Sequence, residues 1–112
     1  MDSSDTRFEI ILNAGNSESA SLMAIEAARE YRFGDAKKEY EEAVKELHLA
    51  HQTQTSLLQD EARGESIEMD ILMVHAQDHI TMASILKEVA NEFINVYEEL
   101  KELKEEVKWE SC

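Results

Sequence analysis

A chain of 112 residues with 25 Asp plus Glu against 11 Lys plus Arg carries a formal charge of −14, which speaks against nucleic acid as a partner and suits a protein that meets a basic surface. The length allows one domain and not two, placed at residues 1–112 with its core over about 8–108. No apolar run approaches the roughly 20 residues of a membrane span, no secretory signal is visible at Met1–Asp5, and the single cysteine, Cys112, forms no internal disulfide and reads as a frayed terminal residue, so the expected location is cytoplasmic.

The absence of proline, with only three glycines, favours long helices. Residues 1–6 are polar and read as loose. Helix one is expected from Arg7 to Arg32, with Phe8, Ile11, Leu12, Leu22, Met23, Ile25, Ala27 and Ala28 as its apolar positions. Inside it, Asn13-Ala14-Gly15-Asn16-Ser17 is a run of small residues, suited either to a close helix crossing or to a break beside a site. Phe33-Gly34-Asp35 reads as a turn, with Gly34 in the left-handed position and Asp35 capping the next helix.

Helix two is expected from about Ala36 to Arg63, with a seam of Tyr40, Ala43, Leu47, Ala50, Leu57 and Leu58 and with Val44 and His51 alongside. Gln54 stands on that seam where a leucine belongs. Gly64 ends the helix, and Glu65–Met69 is a short connection. Helix three runs to about Lys108. Read in heptads, its a positions are Leu72, His79, Leu86, Phe93, Leu100 and Val107, and its d positions are His75, Met82, Val89, Val96 and Leu103. The e row begins Ala76, Ala83, Ala90, and the g row begins Ile71, Asp78, Ile85. So wide a stripe exceeds what one neighbouring helix covers. Two tight turns joining three long helices predict an all-α, antiparallel three-helix bundle. The uncovered g row predicts self-association.

The polar residues on this apolar helix fall together in Val74-His75-Ala76-Gln77-Asp78-His79. His75 and His79 are four apart and Asp78 is three from His75, so all can share one face. Three readings are open. The histidines are satisfied members of a core. Or they join His48 and His51 of helix two in a metal site, with no cysteine and no Glu-x-x-His pair to support it. Or an imidazole nitrogen attacks phosphorus and forms a transient phosphohistidine. That chemistry needs donors for the phosphoryl oxygens, which Gln77 and His79 can supply. Asp78 would repel an arriving phosphoryl group, an objection that a cation on Asp78 removes. Gly-rich phosphate loops, Gly-x-Ser-x-Gly and His-Glu-x-x-His are missing.

Leu72-Met73-Val74-His75-Ala76-Gln77-Asp78-His79 resembles the signature of the lactose/cellobiose-type IIA proteins of the bacterial sugar phosphotransferase system. Ile11-Leu12-Asn13-Ala14-Gly15-Asn16 resembles that family's first helix, and Ala50-His51-Gln52-Thr53-Gln54-Thr55 with Glu61-Ala62-Arg63-Gly64 resembles its second. The likeness spans about residues 8–100. It implies a bundle that assembles as a homotrimer, with His75 as the phosphorylated nucleophile and Gln77 and His79 supporting it. It implies that Asp78 lies near the trimer axis as a ligand of one Mg²⁺ or similar divalent cation per trimer. The implied role is a phosphotransferase component that takes phosphate from HPr and gives it to a cysteine of the IIB component. The membrane is involved only indirectly, through the IIC permease, and the sugar would be lactose, cellobiose, chitobiose or a related β-glucoside. Two places depart from the family pattern. Glu18 stands where the family often has Arg, and Ile80-Thr81-Met82 where it often has Leu-Met-Thr.

Overall fold

A computed structural model describes residues 3–110, with side chains from Thr6 to Lys108. The chain forms three helices, α1 (Ser3–Arg29), α2 (Phe33–Ala62) and α3 (Ile71–Glu110), and the described residues contain no strand. Residues 3–6, expected to be loose, already belong to α1, and Cys112 lies outside the described residues. One apolar cluster joins Ile10 and Ala14 to Leu47 and Ala50, and to Ala76, Ile80 and Ala83. The other joins Ala24, Ala27 and Ala28 to Ala36, and to Ala90 and Ile94. Chain order is thus reversed between α1 and α2 and restored between α1 and α3, so the helices run up, down and up. The result is a rod of 70 × 20 × 19 Å. None of the described helices is long and apolar enough to cross a membrane.

Both connections use the same helix ending. After α1, the Arg32 N–H donates to the Ala27 carbonyl at 2.8 Å and the Tyr31 N–H to the Ala28 carbonyl at 2.9 Å. After α2, the Glu65 N–H donates to the Asp60 carbonyl and the Gly64 N–H to the Glu61 carbonyl, both at 3.0 Å. This pairing needs one residue in the left-handed region. Gly64 takes that place at φ 90 as expected, but in the first turn the place belongs to Tyr31 at φ 64. Gly34, expected there, lies inside α2, and Asp35 is not its cap. Tyrosine costs roughly 1–2 kcal/mol in this conformation. Its ring lies 6.0 Å from that of Phe33 and takes the Lys104 ammonium at 5.5 Å, contacts that offset part of the cost.

The start of α3 is capped by Asp70. Its Oδ1 accepts the Met73 N–H at 2.9 Å, and its Oδ2 pairs with the guanidinium of Arg7. The Arg7 hydrogen bond, helped by the Met73 N–H, holds the Asp70 carboxyl below its usual range. Arg7 is buried while Asp70 is half-exposed, so the first turn of α1 is tied to the first turn of α3.

Helix α1 is the hub, because α2 and α3 touch each other least. Its buried face is small: Ala14, Ser17, Ala20, Ser21, Ala24, Ala27 and Ala28. Short side chains let the backbones approach closely, and the Ser17 hydroxyl donates across the gap to the Ala43 carbonyl at 2.7 Å. The row of α3 that answers it mixes alanines with larger side chains. Met73, Ala76, Ile80, Ala83, Ala90 and Ile94 are buried. The expected a/d seam is therefore not the seam inside the chain. Met82, Val89, Phe93, Val96, Leu100 and Leu103 are exposed, as are Ile71 and Ile85 of the g row. Inside the chain the alanine-bearing faces pack together, and the bulky stripe is left outside. On α2 the seam is as expected at Ala43, Leu47 and Ala50, but Leu58 and Val44 are exposed. The small-residue run of α1 is a close crossing and not a break: the helix is continuous and Ala14 and Ser17 are buried in the contact with α2, while Gly15 itself faces open space.

Candidate functional site

The first turns of α3 carry His75, Gln77, Asp78 and His79 in different directions. Met73, Ala76 and Ile80 point into the core, which fixes the rotation of the helix. His79 is then turned toward α1, Gln77 toward α2, and His75 and Asp78 outward into solvent. The expectation that His75 lies in the inner seam is thus corrected, whereas Asp78 is uncovered within the chain as its g-row position leads one to expect. Within the chain His75 and Asp78 are exposed, and only His79 and Gln77 are partly covered.

His79 is gripped from both sides. Its Nδ1 lies 3.1 and 3.2 Å from the two carboxylate oxygens of Glu18 on α1. Its Nε2 lies 3.2 Å from Nε2 of His75, with the rings edge to face at a centroid distance of 4.5 Å. The His79 and Glu18 side chains are about one-fifth exposed, enough burial to make the contact persistent. Glu18, His79 and His75 form a chain and not a cage. The carboxylate and the second imidazole meet opposite nitrogens of His79, so no single ion could touch all three. No group of three or more His, Cys, Asp or Glu among the described residues could hold a metal ion. The four histidines do not gather, because His48 and His51 sit exposed on α2 beside Gln52, Thr55 and Ser56. That corrects the four-histidine metal site.

Gln77 has a different neighbour from the one expected. Its Oε1 accepts from Nε2 of Gln54, and its own Nε2 faces the Met73 sulfur at 3.5 Å. Both amides line a cleft of about 250 Å³ between the end of α2 and the start of α3, closed by Leu57, Leu58, Ile67 and Met69. The glutamine that looked misplaced on the α2 seam is the partner of the glutamine two residues from His75. Sequence reasoning missed this pair and also the Glu18 contact. The signal for the first was a polar residue at a seam position of α2, facing the polar run of α3. For the second it was a carboxylate directly after the small-residue run of α1.

The arrangement offers one accessible imidazole, His75, beside a second whose orientation is fixed by a carboxylate. That is the constellation of an activated nucleophile. Comparison with known proteins narrows the chemistry. The family model described as "PTS system, Lactose/Cellobiose specific IIA subunit" matches residues 5–98. The lichenan-specific phosphotransferase enzyme IIA component of Bacillus subtilis is 46% identical over 95 residues, covering 85% of this chain and 86% of the relative. The crystal structure of the cellobiose-specific enzyme IIA from Bacillus anthracis superposes with a TM-score of 0.88 at 38% identity, over 90% of this chain and 93% of that one. The IIA(chitobiose) of Escherichia coli, solved in complex with HPr, superposes with a TM-score of 0.79 at 27% identity, over 90% and 98%. With the fold and the matched span in agreement, the chain belongs to the lactose/cellobiose-specific IIA subunits of the phosphotransferase system.

Proposed function

We propose that the protein is a phosphocarrier in which His75 accepts a phosphoryl group from phospho-HPr and passes it to a cysteine of a IIB component during sugar uptake. The observation that carries this reading is the exposed His75 ring with Nε2 at 3.2 Å from an imidazole that α1 holds in place. A neutral imidazole nitrogen is a competent in-line nucleophile at phosphorus, and positioning with electrostatic stabilisation supplies most of the catalysis such a transfer needs. Related IIA(chitobiose) forms a complex with HPr, which supports HPr as the donor.

The active form in this reading is a homotrimer. The exposed row Ile71, Met82, Ile85, Val89, Phe93 and Val96 runs along α3 as one apolar stripe, more than an isolated soluble chain ordinarily leaves open. Covering it with two further copies would bring three Asp78 carboxylates together. A shared divalent cation such as Mg²⁺, with oxygen ligands from those carboxylates and water, relieves their mutual repulsion. Contact with the membrane is indirect, through the IIC permease that IIB serves. The test of the carrier role is intact-protein mass spectrometry after incubation with phosphoenolpyruvate, enzyme I and HPr. A single acid-labile phosphate that appears only with all three components is the expected result, and an unmodified chain contradicts it.

A further inference from the structure

Glu18 stands apart from the phosphoryl-accepting ring, yet it is the group that fixes the state of that ring's neighbour. Both of its oxygens face His79 Nδ1, at 3.1 and 3.2 Å. A carboxylate oxygen accepts, so Nδ1 carries the proton and donates it. Neutral His79 then has a bare Nε2, and that nitrogen lies 3.2 Å from His75 Nε2. Only one proton fits between them, and with a single proton on the His79 ring it belongs to His75. The contact from α1 thereby dictates the tautomer of both rings, as a carboxylate does for the base of a serine hydrolase. Nε2 is the ring nitrogen farther from the backbone, and on exposed His75 it is the one a docked donor reaches more readily.

We propose that Glu18 is a positioning residue for phosphoryl transfer and that Glu18, His79 and His75 form a proton relay. The proposal rests on the carrier reading above. In the forward step a nitrogen–phosphorus bond forms at His75 Nε2, while the nitrogen–phosphorus bond of the donor phosphohistidine breaks and the donor nitrogen keeps the electron pair. The proton on His75 Nε2 passes first to His79 Nε2, and the exposed His75 ring then turns so that the in-plane lone pair it leaves faces the donor phosphorus and not His79. The imidazolium so formed is held by the Glu18 carboxylate at Nδ1–H and turns its Nε2–H toward the phosphoryl oxygens. In the onward step the nitrogen–phosphorus bond breaks, a sulfur–phosphorus bond forms on the acceptor thiolate, and the proton returns to His75. Glu18 occupies a place where the resemblance to the IIA family more often has Arg, and arginine accepts no hydrogen bond. The relay is thus a feature of this chain's own residues.

The experiment compares wild type, Glu18→Ala and Glu18→Gln in two measurements. The first is ¹⁵N–¹H NMR of the imidazoles in the free protein. Wild-type His79 should show the Nδ1–H tautomer, and Glu18→Ala should lose that preference. Glu18→Gln keeps an oxygen acceptor at the same reach and should retain it. The second is the initial rate of phosphoryl uptake against phospho-HPr concentration, on variants shown by circular dichroism to be folded. Glu18→Ala should lower the maximal rate roughly ten- to a hundredfold, the scale on which orienting partners act, with the half-saturating HPr concentration unchanged. Glu18→Gln should recover part of the rate. A wild-type His79 in the Nε2–H tautomer overturns the relay. So does an Ala variant as fast as wild type, or one altered only in half-saturation, which would make Glu18 a docking residue. A wild type that takes up no phosphate sinks the carrier reading and the relay with it, whereas normal wild-type labelling with an equally fast Ala variant sinks the relay alone.

Discussion

The side-chain amide of Gln54 on α2 donates to the side-chain oxygen of Gln77 on α3, across a cleft that opens beside the histidine-bearing turn. Gln54 interrupts an otherwise apolar seam, and its amide supplies the donor for the Gln77 oxygen. Gln54→Leu should leave the Gln77 oxygen half-buried and unpaired, at a cost of about 1–3 kcal/mol. Gln54→Leu with Gln77→Leu should recover most of it, because removing both partners is far less costly than removing one. Urea denaturation of the two single variants and the double variant checks this. A double variant as weak as the sum of the singles contradicts the pairing.

Asp70 makes stability depend on pH in a defined direction. Its carboxyl is held below the usual range by Arg7 and then by the Met73 N–H, so the folded state binds its proton less readily than the unfolded state. The contribution is fully present above the unfolded carboxylate range and is lost as pH falls through the lowered folded value. Asp70→Asn should lower the thermal midpoint at neutral pH and flatten its decline on acidification. An unchanged acid slope would show that the pair carries no linkage.

Gly15 lies in the middle of continuous α1 with open space where a side chain would stand. Gly15→Ala should stabilise the protein by roughly 0.5–1 kcal/mol, because alanine has the better helix propensity. Thermal unfolding reads the sign directly. A loss of stability would mean that another molecule packs against this face.

The apolar stripe of α3 predicts assembly. Light scattering should give about three times the 12.8 kDa of the chain, and Val89→Glu, at an exposed position of the stripe, should yield a folded smaller species. Chelation by EDTA should lower the unfolding temperature of the wild type. It should leave Asp78→Leu unchanged, and that variant should be the more stable trimer, by about 1–4 kcal/mol. A wild type indifferent to EDTA and free of metal by elemental analysis contradicts the shared cation.

Much of this was legible in the residues. Breaker scarcity, Gly64 and the apolar periodicity predicted three helices and their up-down-up order, and the His75–His79 spacing allowed two imidazoles to share one helix face, where the rings meet. The first turn was misread because Tyr31, and not a glycine, takes the left-handed position, a choice held by its ring contacts with Phe33 and Lys104 that no local pattern displays. The inner face of α3 was misassigned because its alanine row and its bulky row are both apolar. Periodicity gives the width of a stripe and not which half meets α1. Glu18 was seen only as a departure from a family pattern. Its contact with His79 joins residues 61 positions apart and depends on how α1 and α3 align.

The central claim is that His75 is the atom-for-atom acceptor of the phosphoryl group and His79 is its partner. The most direct measurement is labelling by phosphoenolpyruvate, enzyme I and HPr, followed by peptide mapping under alkaline conditions that preserve phosphohistidine, for wild type, His75→Ala and His79→Ala. The account predicts phosphate on His75 in the wild type, none in His75→Ala, and a slower but detectable uptake on His75 in His79→Ala. Wild-type labelling of His75→Ala, or phosphate mapped to His79, would contradict it.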